Sequence, residues 1–142
     1  MILTEPKVES YIRKYLIKKG WKTTNLPRTA GAHGADIIAY HPRWRKVYII
    51  EAKGEGKSHS MPIIHNSFWA VLGQILTRMD IEGNQKNRAR LYGIGIPKSW
   101  EVIFKNKIKK MQFGWKLLKL RVFLVNSDGS VEEKPHSYFL KD

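Results

Sequence analysis

The chain has 142 residues, 42% of them hydrophobic, which is enough for one domain with its own core. It contains no cysteine, which excludes disulfides, thiol nucleophiles and cysteine-based zinc sites and favours a cytoplasmic protein. The 26 lysines and arginines oppose 12 aspartates and glutamates, and the formal net charge of +14 favours a polyanionic partner, most often nucleic acid.

The first predicted elements are one helix and three short strands. Apolar residues recur at helical spacing over 5–19, between Thr4 as a capping residue and Gly20 as a terminator. The recurring residues are Val8, Tyr11, Ile12, Tyr15 and Leu16. Strands are predicted over 21–26, 35–40 and 46–53, with a glycine-containing loop at 27–34 and a turn at 41–44.

The remaining elements alternate between helices and strands. They are a loop over 54–62, a helix over 66–80, a loop over 82–88, a strand over 91–96, a helix over 99–111 and a strand over 117–125, with a final strand possible after the turn at 126–129. The apolar stripe of the second helix is Phe68, Val71, Leu72, Ile75, Leu76 and Met79. This order predicts an α/β domain over 1–142, with a mixed sheet flanked by helices. The five tryptophans are interpreted as core packing.

Two classes of site are disfavoured by the sequence. The stretch Gly56-Lys57-Ser58 matches the end of a phosphate-binding loop, but Glu51 stands where that loop needs a glycine, so no nucleotide cofactor is expected. No run of about 18 apolar residues is present. No signal peptide and no membrane association are therefore expected from this sequence.

Acidic and basic residues converge where two predicted strands meet. Asp36 lies near the start of the second strand and Glu51 near the end of the third, and these ends are neighbours in a hairpin. Alternation along the third strand predicts Glu51 and Lys53 on one face and Ala52 on the other. Two carboxylates and one ammonium group are thus expected at one edge of the sheet.

This set of groups suits metal-assisted hydrolysis of a phosphodiester bond. Magnesium prefers oxygen ligands, which Asp36, Glu51 and the carbonyl of Ala52 could supply, and manganese is an expected substitute. Lys53 could orient the attacking water or stabilise charge on the phosphoryl oxygens. The alternative is a solvated strand edge with a weak surface ion pair.

The motif Asp36, then one hairpin, then Glu51-Ala52-Lys53 resembles that of the PD-(D/E)xK nuclease superfamily, although Ala35 rather than proline precedes Asp36. The order helix, three strands, helix, strand also resembles its restriction-endonuclease-like core. The resemblance covers about 5–96, and 97–142 is expected to be a peripheral extension. It implies a magnesium-dependent deoxyribonuclease.

Two further site residues follow from this resemblance. Many members of the superfamily carry a glutamate on the first helix, and Glu9 stands there on the side of Ile12. RecB-like nucleases, to which the chain is loosely similar, carry a glutamine on the helix after the Glu-x-Lys strand. Gln74 matches that glutamine, whereas Arg78 replaces the tyrosine that follows it in those nucleases.

DNA contacts are predicted by residue type and position. The segment before Asp36 loosely resembles a loop of archaeal Holliday junction resolvases, in which an arginine and a glycine-rich stretch approach DNA. The predicted contacts near the site are Arg28, His33, Lys57, His59 and Arg78, with further basic stretches on the exposed side of the first helix (Arg13, Lys14, Lys18, Lys19) and over 105–110.

Three functions remain open from the sequence. The leading one is a magnesium-dependent DNA endonuclease in restriction or repair. The second is a junction resolvase or repair nuclease that acts as a homodimer. The third is a non-catalytic DNA-binding module with a nuclease fold, for which the basic charge would suffice.

Overall fold

The computed structural model describes residues 2–23, 35–56, 61–81 and 89–141. Its helices are α1 (Glu5–Lys18), α2 (Met61–Ile81), α3 (Glu101–Lys109) and α4 (Gln112–Leu118). Its strands are β1 (Lys22–Thr23), β2 (Ile37–His41), β3 (Lys46–Ala52), β4 (Ala89–Pro97), β5 (Arg121–Val125) and β6 (Val131–Lys134). Short 3-10 helices span Lys98–Trp100 and His136–Leu140.

In this part of the chain, six strands form one sheet in the order β1-β2-β3-β4-β5-β6. The pairs β1–β2, β2–β3 and β5–β6 are antiparallel, whereas β3–β4 and β4–β5 are parallel. Each parallel pair is joined by a helical crossover, as parallel strands require. The protein therefore has the predicted mixed sheet flanked by helices, with a restriction-endonuclease-like core.

The sheet is covered on both faces. Val47 and Ile49 of β3 pack in a core with α2, α3 and α4, whereas Tyr48 and Ile50 pack in a second core with α1. The alternation follows from strand geometry, in which successive side chains point to opposite faces. A strand that is buried on both sides reads as a continuous apolar run, and 47–50 is Val-Tyr-Ile-Ile.

Two helices differ from the prediction. α2 begins at Met61 rather than at residue 66, because Pro62 is acceptable in the first turn of a helix, and Leu76 of its stripe is exposed. The predicted strand from residue 117 begins only at Arg121, because Gln112–Leu118 forms α4. Trp115 anchors α4: it is fully buried, and its indole N–H donates to the His136 carbonyl at 2.9 Å.

The segment after residue 97 is part of the main sheet, so its prediction as a peripheral extension is wrong. β5 lies between β4 and β6, and Val122, Phe123, Leu124 and Val125 are fully buried. Leu124 belongs to one core and Phe123 to the other. The strand therefore helps to hold both layers together.

Two smaller predictions also change. Thr4 is the N-cap of α1 but makes no side-chain capping bond, and the Ser99 hydroxyl donates to Glu55 Oε1 at 3.3 Å rather than capping α3. Of the tryptophans, Trp44 and Trp69 are exposed, whereas the other three are buried. Among the described residues, no helix is long and apolar enough to cross a membrane.

Close packing of backbone against backbone fixes the start of α1 beside the end of β3. A Cβ placed on Gly54 would lie 2.2 Å from the Glu5 nitrogen and 2.3 Å from the Thr4 carbonyl carbon. The Glu55 N–H also donates to the Leu3 carbonyl at 2.7 Å. Only glycine permits this approach without a shift of the backbone.

We expect Gly54→Ala to lower the free energy of unfolding by about 1–3 kcal/mol, because the added methyl group must push the start of α1 away from β3. Gly56→Ala is the matched control, since a Cβ there meets nothing within 4 Å. Urea unfolding of both variants measures the difference. Equal stability of the two variants would contradict the close approach.

Candidate active site

The candidate site contains two buried carboxylates at neighbouring strand ends. Ile37 pairs with Ile50 in the antiparallel register, which places Asp36 across from Glu51. The Ala52 N–H donates to Asp36 Oδ2 at 2.8 Å, and the exposed fractions of Asp36 and Glu51 are 5% and 2%. The predicted convergence is therefore observed, while the catalytic and metal-binding roles of these residues remain predictions.

Burial and mutual repulsion perturb this pair. Removal from water, followed by the charge of Asp36 and its hydrogen bond, raises the pKa of Glu51 to about 7. Arg78 acts in the opposite direction, because its Nε donates to Glu51 Oε1 at 3.0 Å. A raised carboxylate pKa of this kind is common at functional sites.

α1 supplies a second charged group to the same sheet end. Arg13 Nη2 donates to the Asp36 carbonyl at 2.7 Å, and its Nη1 lies 4.0 Å from Glu9 Oε2. Glu9 is buried, and its predicted role at the site stays a prediction. Arg13 was predicted on or near the exposed side of the helix; its side chain is 23% exposed, and its guanidinium reaches the Asp36 carbonyl.

Lys53 lies just beyond the strand, which ends at Ala52. Its N–H donates to the Gly95 carbonyl at 2.9 Å, and its Nζ lies 3.5 Å from Glu5 Oε1. Lys53 thus pairs with α1, whereas Glu51 pairs with Arg78 of α2. Glu51 and Lys53 thus contact different helices instead of sharing one face of the strand as predicted, because the regular alternation of side chains stops at Ala52.

The remaining predicted site residues have different outcomes. Gln74 is exposed on α2, and it is Arg78, one turn later, that reaches the carboxylates. Arg28, His33, Lys57 and His59 lie outside the described residues, so their proposed DNA contacts remain predictions.

Sequence reasoning missed Glu5 and the position of Arg13. A signal was present, because Glu5, Glu9 and Arg13 recur every four residues and therefore share one side of α1. That side faces the end of β3, where Glu5 meets Lys53 and Arg13 meets Asp36. The four-residue spacing of Glu5, Glu9 and Arg13 beside the apolar stripe would have identified the charged side of α1 that borders the site.

The donor set fits a magnesium ion. Among the described residues, no group of three or more acidic, histidine or cysteine side chains is close enough to hold a metal. Magnesium, however, usually takes one or two carboxylates and completes its shell with water and substrate phosphate. Asp36, Glu51 and the Ala52 carbonyl could supply these protein oxygens, and a cation would relieve the repulsion that raises the pKa of Glu51.

No family model matches the chain, and no curated protein matches its sequence. Solved structures do share its fold. An XisH family protein from Nostoc punctiforme is 15% identical, with a TM-score of 0.58 over 91% of this chain and 98% of that one. An fdxN element excision controlling factor protein from Anabaena variabilis is 17% identical, with a TM-score of 0.59 over 89% and 96% of the two chains. At these identities the likeness concerns the fold.

The raised pKa of Glu51 predicts how stability depends on pH in the presence of EDTA. Between about pH 4.5 and pH 7 the folded chain holds a proton that the unfolded chain has already released, so stability falls as the pH rises. We expect the wild type to lose about 1–3 kcal/mol more than Glu51→Gln over this interval. Urea unfolding of both proteins at several pH values measures this, and parallel curves would contradict the shift.

Proposed function

We propose that this protein is a magnesium-dependent nuclease that hydrolyses phosphodiester bonds in DNA. One observation carries the proposal: Asp36, just before β2, and Glu51, near the end of β3, are adjacent buried carboxylates, and Lys53 directly follows β3. Burying two like-charged groups is unfavourable for folding, so their juxtaposition favours a functional role over a purely structural one.

The charge of the whole chain supports DNA as the substrate. A formal net charge of +14 attracts a polyanion and raises the rate of encounter. Such attraction is independent of sequence, so specificity must come from the shape of the substrate or from contacts to bases. The likeness to an excision controlling factor, as that neighbour is named, supports a role in DNA processing for this chain also.

Each residue would have a distinct task in the reaction. Asp36 and Glu51 would hold the metal ion through their carboxylates, and the hydrogen bond from the Ala52 N–H would keep Asp36 oriented. A bound magnesium ion supplies positive charge that polarises the scissile phosphate and favours ionisation of a water molecule. Lys53 would stabilise charge on the phosphoryl oxygens, with Glu5 restraining its ammonium group until substrate binds.

A second candidate is a DNA-binding module without catalysis. The observation that favours it is the ion pair at 3.0 Å between Arg78 and Glu51, which partly neutralises one of the two proposed ligands. If Arg78 holds this carboxylate permanently, a metal ion is not needed to balance the site. The protein would then bind DNA through its basic surface alone.

The deciding experiment incubates the protein with supercoiled plasmid, linear duplex, single-stranded DNA and a four-way junction, each with magnesium, manganese or EDTA. We expect cleavage with either metal, and a loss of more than about 100-fold in Asp36→Asn, since a ligand is removed. Asparagine retains an oxygen that can accept the hydrogen bond from Ala52. A homodimer that cuts both strands would give linear product directly, whereas a monomer would give nicked circles first.

Asp128→Asn is the matched control, because it makes the same change of charge in the exposed turn between β5 and β6. It should cleave like the wild type. Binding without cleavage on every substrate would favour the non-catalytic module. Equal cleavage by Asp36→Asn and the wild type would place the catalytic site elsewhere.

A further inference from the structure

A second concave region lies on the α1 face of the sheet, at the opposite end of β3 from the carboxylates. Its volume is about 360 Å³, within the range of small-ligand sites. Lys46, at the start of β3, is part of its lining. Glu51 is five residues further along the strand, or about 17 Å at the usual rise per residue. The region is therefore separate from the proposed catalytic site.

Four aromatic side chains form much of its wall: Tyr15, Trp21, Trp44 and Tyr48. Three of them pack inward, but Trp44 is 57% exposed. Trp44 is also held in place. Its ring stacks on His41 with centroids 3.9 Å apart and planes 9° apart, and the backbone N–H of Trp44 donates to His41 Nδ1 at 3.3 Å.

The outer face of Trp44 is open to a ligand. Trp21 is perpendicular to both stacked rings and lies closer to His41 than to Trp44, with centroid distances of 5.2 and 6.3 Å. Because His41 covers one face of the Trp44 ring and the side chain still remains exposed, the opposite face is accessible. The turn that presents Trp44 ends at Arg45, whose φ of 52° is unusual for a residue other than glycine. The backbone thus has a strained conformation in the turn that presents the ordered indole ring of Trp44.

Glu133 organises one wall of the pocket. Its carboxylate accepts hydrogen bonds from the Tyr15 hydroxyl at 3.1 Å, the Tyr48 hydroxyl at 3.0 Å and Arg121 Nε at 2.7 Å. These partners consume most of its accepting capacity and fix the two tyrosine rings. The carboxylate is thus occupied by the protein itself, so the wall is rigid before any ligand binds.

The charges of the lining favour an anion. Three cations, Lys19, Lys46 and Arg121, stand against the single carboxylate of Glu133. Proteins hold unpaired nucleotides by combining an exposed aromatic ring with excess positive charge. The base stacks on the ring, and the phosphate pairs with the cations.

We propose that this pocket binds an unpaired nucleotide of a nucleic-acid strand, with its base stacked on the outer face of Trp44 and a phosphate against Lys19 and Lys46. One nucleotide suits the exposed ring of Trp44, the cations and the volume of the pocket, whereas a duplex keeps its bases inside the helix. The pocket would therefore favour single-stranded or distorted DNA. This inference does not depend on cleavage, because binding to the pocket requires neither a metal ion nor Asp36.

The test measures binding of a fluorescently labelled single-stranded oligonucleotide of about 12 nucleotides by polarisation, in EDTA so that no cleavage occurs. We expect Trp44→Ala to weaken binding by about 5- to 100-fold, the range for loss of one base stack. Trp69→Ala is the matched control, because Trp69 is 55% exposed but lies outside this pocket. It should bind like the wild type. Thermal unfolding of both variants confirms that they fold.

An abasic oligonucleotide of equal length separates stacking from charge, because it keeps the phosphates and lacks the bases. Trp44→Ala should bind it like the wild type, whereas replacing Lys19 and Lys46 by glutamine should weaken both oligonucleotides and reduce the dependence on salt. If a free nucleoside monophosphate competes as strongly as the oligonucleotide, the ligand is a free nucleotide and the proposal of a nucleic-acid strand is overturned. Unchanged binding by Trp44→Ala, or an equal loss in Trp69→Ala, would overturn the pocket itself.

The outcomes also separate this inference from the proposed nuclease. A protein that never cleaves DNA but binds single strands through Trp44 would retain the pocket and lose the catalytic proposal. A protein that cleaves with magnesium but is insensitive to Trp44→Ala in binding would retain the nuclease and lose the pocket.

Discussion

Burial of β3 on both faces is the constraint on which the rest of the molecule depends. Its side chains alternate between two cores, one completed by α1 and the other by α2 and α3. Both helices must therefore lie across the strand, and the charged residues on their flanks meet at its end. Arg13 of α1 and Arg78 of α2 reach Asp36 and Glu51 from opposite sides for this reason.

The electrostatics of that strand end are unfavourable for the fold by themselves. Two carboxylates have lost most of their contact with water, while the Ala52 N–H donates to Asp36 and Arg78 donates to Glu51. The burial of Glu51 and the nearby charge of Asp36 raise the pKa of Glu51 to about 7. Under the proposed function, a divalent cation would offset this unfavourable charge.

The positive charge of the chain serves two different regions. Among the described residues near the carboxylates, cations are paired with acidic groups, as Lys53 is with Glu5 and Arg78 with Glu51. In the aromatic pocket, cations exceed the single carboxylate of Glu133. Under these two proposals, the first region would hold a metal ion and the second an anion. A strand of DNA carries groups that suit both.

The sequence by itself determined the order of the elements and the pairing of Asp36 with Glu51, because apolar periodicity and hairpin geometry are local properties. It did not determine the start of α2 or the existence of α4, whose boundaries depend on which side chains find a place in the core, as Trp115 does. Only the tertiary structure decided that Arg78 rather than Gln74 reaches Glu51 and that Trp44 remains exposed. These outcomes depend on contacts between residues far apart in the chain, which no local pattern encodes.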